Sequence, residues 1–195
     1  RSPRHPPSPA TQPPTEFFFY PHTQYDMNYW TFISQELPEI CHELFPQLST
    51  KREKTFAAGL SMGGYGALKL GLLQPERFAA VASLSGPLNI AARVEDLLQL
   101  RGQTYWEGVF GPLEKFKDSP NDLVFLLEEA IAAGRELLKI FLTCGEQDPL
   151  LHASQDVAEI LERSKLPHFF ETAEGNHDWL FWDQWIQKVL SWLPL

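Results

Sequence analysis

Apolar positions along this chain alternate between two kinds of run. Residues 78–85 form an unbroken stretch of small and branched apolar residues, the pattern of a central parallel strand buried on both faces. Residues 54–58, 137–144 and 166–172 are shorter or mixed runs that also predict strands. Elsewhere apolar residues recur every three or four positions, which predicts helices over 26–45, 122–133, 150–164 and 178–193. An amphipathic helix is expected from about 62 to 73, stopped by Pro75. Pro38 is expected to kink or restart the first helix, and Pro46 to help end it. Strand and helix alternate, so the predicted class is α/β, a mostly parallel sheet with helices on both faces. Right-handed crossovers would bring the loops after each strand to one edge of the sheet, where ligand chemistry belongs.

Two segments break this alternation. Residues 1–16 are rich in proline, serine, threonine and basic residues. They cannot bury enough apolar surface to offset their ordering entropy, so disorder or a polyproline-like state is expected. A docking role for this segment is the weaker reading. Phe17-Phe18-Phe19-Tyr20 could start a short strand, and residues 17–195 form one expected domain. Within it, residues 87–121 read as a small insertion, with a helix near 90–100. Trp106, Phe110 and Phe116 in that insertion either line an acyl pocket or simply pack.

Composition narrows the function classes. With 195 residues, 44% hydrophobic and 21% charged, the chain suits one soluble globular domain. A net charge of -9 without a basic cluster argues against nucleic acid. No apolar run reaches the roughly 18 residues of a membrane span. Cys41 and Cys144 are far apart, which suits reduced thiols in a cytoplasmic setting and gives no metal-ligand spacing. No cofactor or metal is expected; the expected partner is a small ester substrate, and homo-oligomerisation stays open.

The chemistry concentrates in Gly59-Leu60-Ser61-Met62-Gly63-Gly64-Tyr65-Gly66-Ala67. A strand leads in and a helix leads out, with Ser61 at the turn and glycine two positions away on each side. That is the spacing of a nucleophile elbow, in which a strained backbone pushes the serine hydroxyl out of the sheet. Side chains at 59 and 63 are both expected to collide with neighbouring backbone. The helix start would favour negative charge, with the Met62 N–H as one oxyanion donor.

A serine needs a base, and the base needs an orienting acid. Three histidines follow Ser61. His152 falls within a helix pattern and His168 within a strand. His177 lies in a turn after the last strand, in Glu174-Gly175-Asn176-His177-Asp178, the place this mechanism requires. Asp148 follows the strand ending near Cys144 and is the candidate acid. Glu146 is its nearest competitor, and Asp178 lies outside the expected chain order. Trp179, Trp182, Trp185 and Trp192, spaced by three or four on the last helix for the most part, read as a core face rather than a substrate platform.

With these residues in place the chain resembles the esterase D family, most closely its tributyrin esterase branch. The resemblance rests on the elbow segment, on Gly145-Glu146-Gln147-Asp148, and on Gly175-Asn176-His177-Asp178-Trp179 with Trp182-Asp183. Thr23-Gln24-Tyr25 and Leu37-Pro38 add to it. It implies an α/β-hydrolase fold and a cofactor-free hydrolysis of short-chain esters, with Ser61, Asp148 and His177 similar to the family's nucleophile, acid and base. Thioesters such as S-formylglutathione, or acetylated sugars, are alternatives within that pattern. The family also carries earlier strands and a His-Gly-type loop that supplies a second oxyanion donor. No His-Gly dipeptide occurs here, so the expectation is a chain lacking those strands. A non-catalytic fragment is therefore the competing class.

Overall fold

The computed structural model describes residues 28–194. The Pro-rich segment, Phe17-Phe18-Phe19-Tyr20 and Thr23-Gln24-Tyr25 lie outside the described residues. Strands β1 (Phe56–Leu60), β2 (Ala80–Leu84), β3 (Lys139–Gly145) and β4 (His168–Ala173) form a four-stranded sheet in that order. Every pair is parallel. Each step therefore needs a crossover, and helices supply them. The β1–β2 connection holds α3 (Met62–Leu73), and the β3–β4 connection holds α7 (Leu151–Arg163). The β2–β3 connection holds α4 (Val94–Leu100), α5 (Gln103–Phe110) and α6 (Leu123–Ala132), and α8 (Trp179–Trp192) follows β4. Parallel order puts all four strand C-termini on one edge.

Side-chain alternation along the strands divides the interior into two layers. Val81, Ile140 and Leu142 join the larger core with Tyr65, Leu68, Leu72, Leu127, Val157 and Leu161. Ala82, Leu84 and Phe141 face the other way, onto Phe181, Trp182, Trp185 and Val189 of α8. Helices thus cover both faces, as the pattern predicts. β2 is buried at every position.

Two expectations change, and a third, the break in the first helix around Pro38, is met. The helix after Ser61 is not amphipathic: every residue from Gly64 to Leu72 is buried, Lys69 included. It lies between the sheet and α6, and a helix enclosed on all sides has no polar face to show. The first helix is interrupted, with α1 (Tyr29–Thr31) passing through a π-helical turn (Phe32–Glu36) into α2 (Leu37–Leu44). Pro38 follows that turn; it brings no N–H to the Ser34 carbonyl four residues back, which accepts from the Arg77 guanidinium instead. The 87–121 segment sends Leu97, Trp106, Val109, Phe110 and Phe116 into the larger core. Among the described residues no helix is long and apolar enough to cross a membrane.

Candidate active site

Ser61 stands between β1 and α3 with φ 50° and ψ -126°. A non-glycine residue at positive φ is strained, by about 1–3 kcal/mol, and persists only where its surroundings hold it. The Ser61 N–H donates to the Leu84 carbonyl at 2.8 Å, tying the turn to the end of β2. The two flanking glycines are not equivalent. A Cβ on Gly59 would stand 2.2 Å from the Gly63 carbonyl oxygen, whereas a Cβ on Gly63 would meet nothing within 4 Å. The expected collision is therefore real at 59 and absent at 63, because the crowding lies on the strand side of the turn. Gly64, not singled out by the motif, is the second tight position: its Cβ would lie 2.5 Å from the Ser83 hydroxyl oxygen.

His177 projects from the turn after β4, and its Nε2 lies 2.9 Å from Ser61 Oγ. Its Nδ1 lies 2.9 Å from Asp148 Oδ2. An ionised carboxylate only accepts, so Nδ1 carries the hydrogen toward Asp148. In the neutral imidazole that leaves Nε2 as the acceptor for the Ser61 hydroxyl. The Asp148 side chain is fully buried. Burial pushes its carboxyl up, but hydrogen bonds from His177, the Leu150 N–H and Ser85 outweigh burial and hold it below the usual carboxylate value. The Leu150 N–H, just before α7, donates to Oδ1 at 2.8 Å.

The structure brings Ser61, Asp148 and His177 into one hydrogen-bonded chain and leaves the other candidates outside it. Glu146 is exposed, and its N–H serves the Ala173 carbonyl. Asp178 caps α8, accepting from the Phe181 N–H at 3.1 Å. His152 lies on α7, and the Nδ1 of His168 meets the Leu166 carbonyl at 2.9 Å. Met62 is the first residue of α3, so its N–H belongs to the turn at the positive end of that helix. Trp106 and Phe110 are packing residues rather than an open wall. Their rings stack at 5.9 Å, Phe110 meets Phe116 edge-on, and the Trp106 indole donates to the Leu97 carbonyl. Both are less than a tenth exposed.

Sequence reasoning missed a layer behind the acid. Ser85 follows β2 with φ 53°, fully buried. Its hydroxyl accepts from the Trp182 indole at 3.1 Å, and Trp182 meets the His177 ring edge-on at 4.9 Å. Cys144 Sγ lies 3.7 Å from the same hydroxyl. Burial, and then the Asp148 charge, push that thiol up to about 12, so it stays protonated. The one signal available was spacing: Trp182 falls on the buried side of the helix that His177 precedes.

The sequence model of the Esterase family, described as "Putative esterase", matches residues 12–193. The chain is 34% identical over 166 residues to an acetyl esterase from Caldicellulosiruptor saccharolyticus, covering 83% of this chain and 62% of the relative. It thus spans less than two thirds of that relative's length. Among solved structures it is similar to the fluorophosphonate-binding serine hydrolase F of Staphylococcus aureus, with TM-score 0.80 and 32% identity over 91% of this chain and 68% of that one. An S-formylglutathione hydrolase from Staphylococcus aureus is similar at TM-score 0.76 and 32% identity, with the same coverage. The parallel sheet with helices on both faces is the α/β-hydrolase fold of these neighbours. By the match over nearly its whole length, this chain belongs to the Esterase family.

Proposed function

We propose that this chain is a serine carboxylesterase acting on short-chain acyl esters of the tributyrin or acetate kind through an acyl-enzyme on Ser61. The observation that carries this reading is the continuous chain Asp148–His177–Ser61, with both links at 2.9 Å and the serine at a strained elbow. Ser61 Oγ attacks the ester carbonyl carbon while His177 Nε2 takes the hydroxyl proton. The carbonyl oxygen becomes an oxyanion next to the start of α3, where the Met62 N–H donates to it. The C–O bond to the leaving alcohol breaks, the alcohol takes the proton from His177, and the acyl group stays on Ser61. Water then repeats the sequence, with His177 as base, and frees the acid. Asp148 keeps Nδ1 protonated and the ring oriented throughout. The acetyl esterase relative supports oxygen esters of small acids. The S-formylglutathione hydrolase neighbour supports a second reading, attack on a thioester by the same groups.

Hydrolysis of p-nitrophenyl acetate and butyrate, beside a formyl thioester, tests both readings. Activity on the esters that Ser61→Ala abolishes is expected, together with covalent labelling of Ser61 by a fluorophosphonate. A folded chain that takes no label would sink the proposal, and a strong preference for the thioester would select the second reading.

A further inference from the structure

Gln147 stands beside Asp148 in the turn after β3 but belongs to none of the three linked side chains. Its backbone N–H donates to the Gly175 carbonyl at 3.0 Å. Its side-chain Oε1 accepts from the Gly175 N–H at 2.8 Å. One residue therefore takes both backbone groups of the glycine two positions before His177. The neighbouring backbone tightens the same contact. The Glu146 N–H donates to the Ala173 carbonyl at 2.8 Å, and a Cβ on Gly145 would stand 2.3 Å from the Gly175 oxygen.

We propose that Gln147 is a positioning residue that clips the histidine turn onto the acid turn and thereby sets where His177 meets its two partners. The proposal rests on the hydrolase reading above. His177 leaves β4, which among the described strands pairs only with β3. Its ring must nevertheless reach Asp148 beyond β3 and Ser61 beyond β1. A displacement of about 1 Å in such an arrangement costs about 10² in rate. The side-chain bond of the clip is solvent-accessible. Water can replace the acceptor there, so losing it moves stability little and acts mainly on geometry.

The test uses Gln147→Met, which keeps length and removes the acceptor, and Gln147→Glu, which keeps an acceptor. Gln147→Ala serves as a second acceptor-free variant should the Met variant fold poorly. The readouts are kcat and KM for p-nitrophenyl acetate and amide hydrogen exchange at Gly175. The acceptor-free variants should lose roughly tenfold in kcat, less than a full 1 Å displacement costs, with KM within about twofold. Their Gly175 amide should exchange faster, and Gln147→Glu should restore both protection and most of kcat. A folded acceptor-free variant with wild-type kcat, or with unchanged Gly175 exchange, overturns the proposal. A wild-type chain without hydrolysis would count against the hydrolase reading, and Gly175 exchange would then decide the clip by itself.

Discussion

The indole N–H of Trp182 donates to the hydroxyl of Ser85 at 3.1 Å, directly behind the Asp148–His177 pair. Ser85 is also one of the groups that hold the Asp148 carboxyl low. Removing its hydroxyl leaves a buried indole donor without its acceptor and Asp148 with one donor fewer. Ser85→Ala should therefore lose about 1–3 kcal/mol of stability by urea unfolding. It should also lower kcat toward short esters more than it raises KM. A variant as stable and as active as the parent would show that this buried contact is incidental.

Asp148→Asn should be folded and nearly inactive. The amide no longer enforces hydrogen on Nδ1, so the tautomer that leaves Nε2 free to accept from Ser61 is lost, at a cost of about 10⁴ in kcat. The same substitution tests linkage. Because the folded Asp148 carboxyl titrates below its ordinary value of 3.8, its contribution to stability is present above about pH 4. It fades as pH falls through the lower folded value. Urea midpoints between pH 5 and 2 should fall more steeply for the parent than for Asp148→Asn.

Lys69 is buried in α3, with Nζ 2.7 Å from Asn121 Oδ1 and 4.7 Å from the centre of the Trp30 ring. Burial lowers its titration from 10.5 to about 7. Unfolded, the lysine keeps its proton until about pH 10.5, so between these values the unfolded chain binds more protons than the folded one. Stability must then rise with pH across that window, by at most ~1.4 kcal/mol per pH unit from this group. Lys69→Met should remove that rise. Thermal melts of both proteins from pH 6.5 to 9.5 measure it; parallel curves would refute the assignment.

The two glycines around Ser61 should behave oppositely. Gly59→Ala forces a Cβ into the Gly63 backbone at 2.2 Å, and should either prevent folding or cost more than about 4 kcal/mol, the range of severe lesions. Gly63→Ala meets open space on a helix and should leave stability unchanged or raise it by up to about 1 kcal/mol. Urea unfolding of the two variants decides the matter.

The class of the fold was legible in the chain because burial writes itself into spacing. The run at 78–85 has no polar side large enough to face water, so β2 had to be central. The alternation of β2 and β3 residues between two cores follows from the two-residue repeat of a strand. Ser61, Asp148 and His177 were legible for a related reason: each lies just past a predicted strand, and parallel order carries all such positions to one edge. What the chain did not reveal depends on contacts between segments distant in sequence. Gly59 and Gly63 look alike in the motif, yet only the packed turn makes one indispensable and leaves the other open. The helix after Ser61 reads as amphipathic until the fold buries it from Gly64 to Leu72, with Lys69 held against Asn121 and Trp30. Trp106 and Phe110 read as possible pocket walls until α5 is folded into the core. Ser85 carries no local signature and Gln147 only its place in the Gly145–Asp148 turn, since a hydroxyl or an amide gains its meaning from partners up to 97 residues away. Local spacing determines which surfaces must be buried, and only the tertiary structure decides which atoms meet.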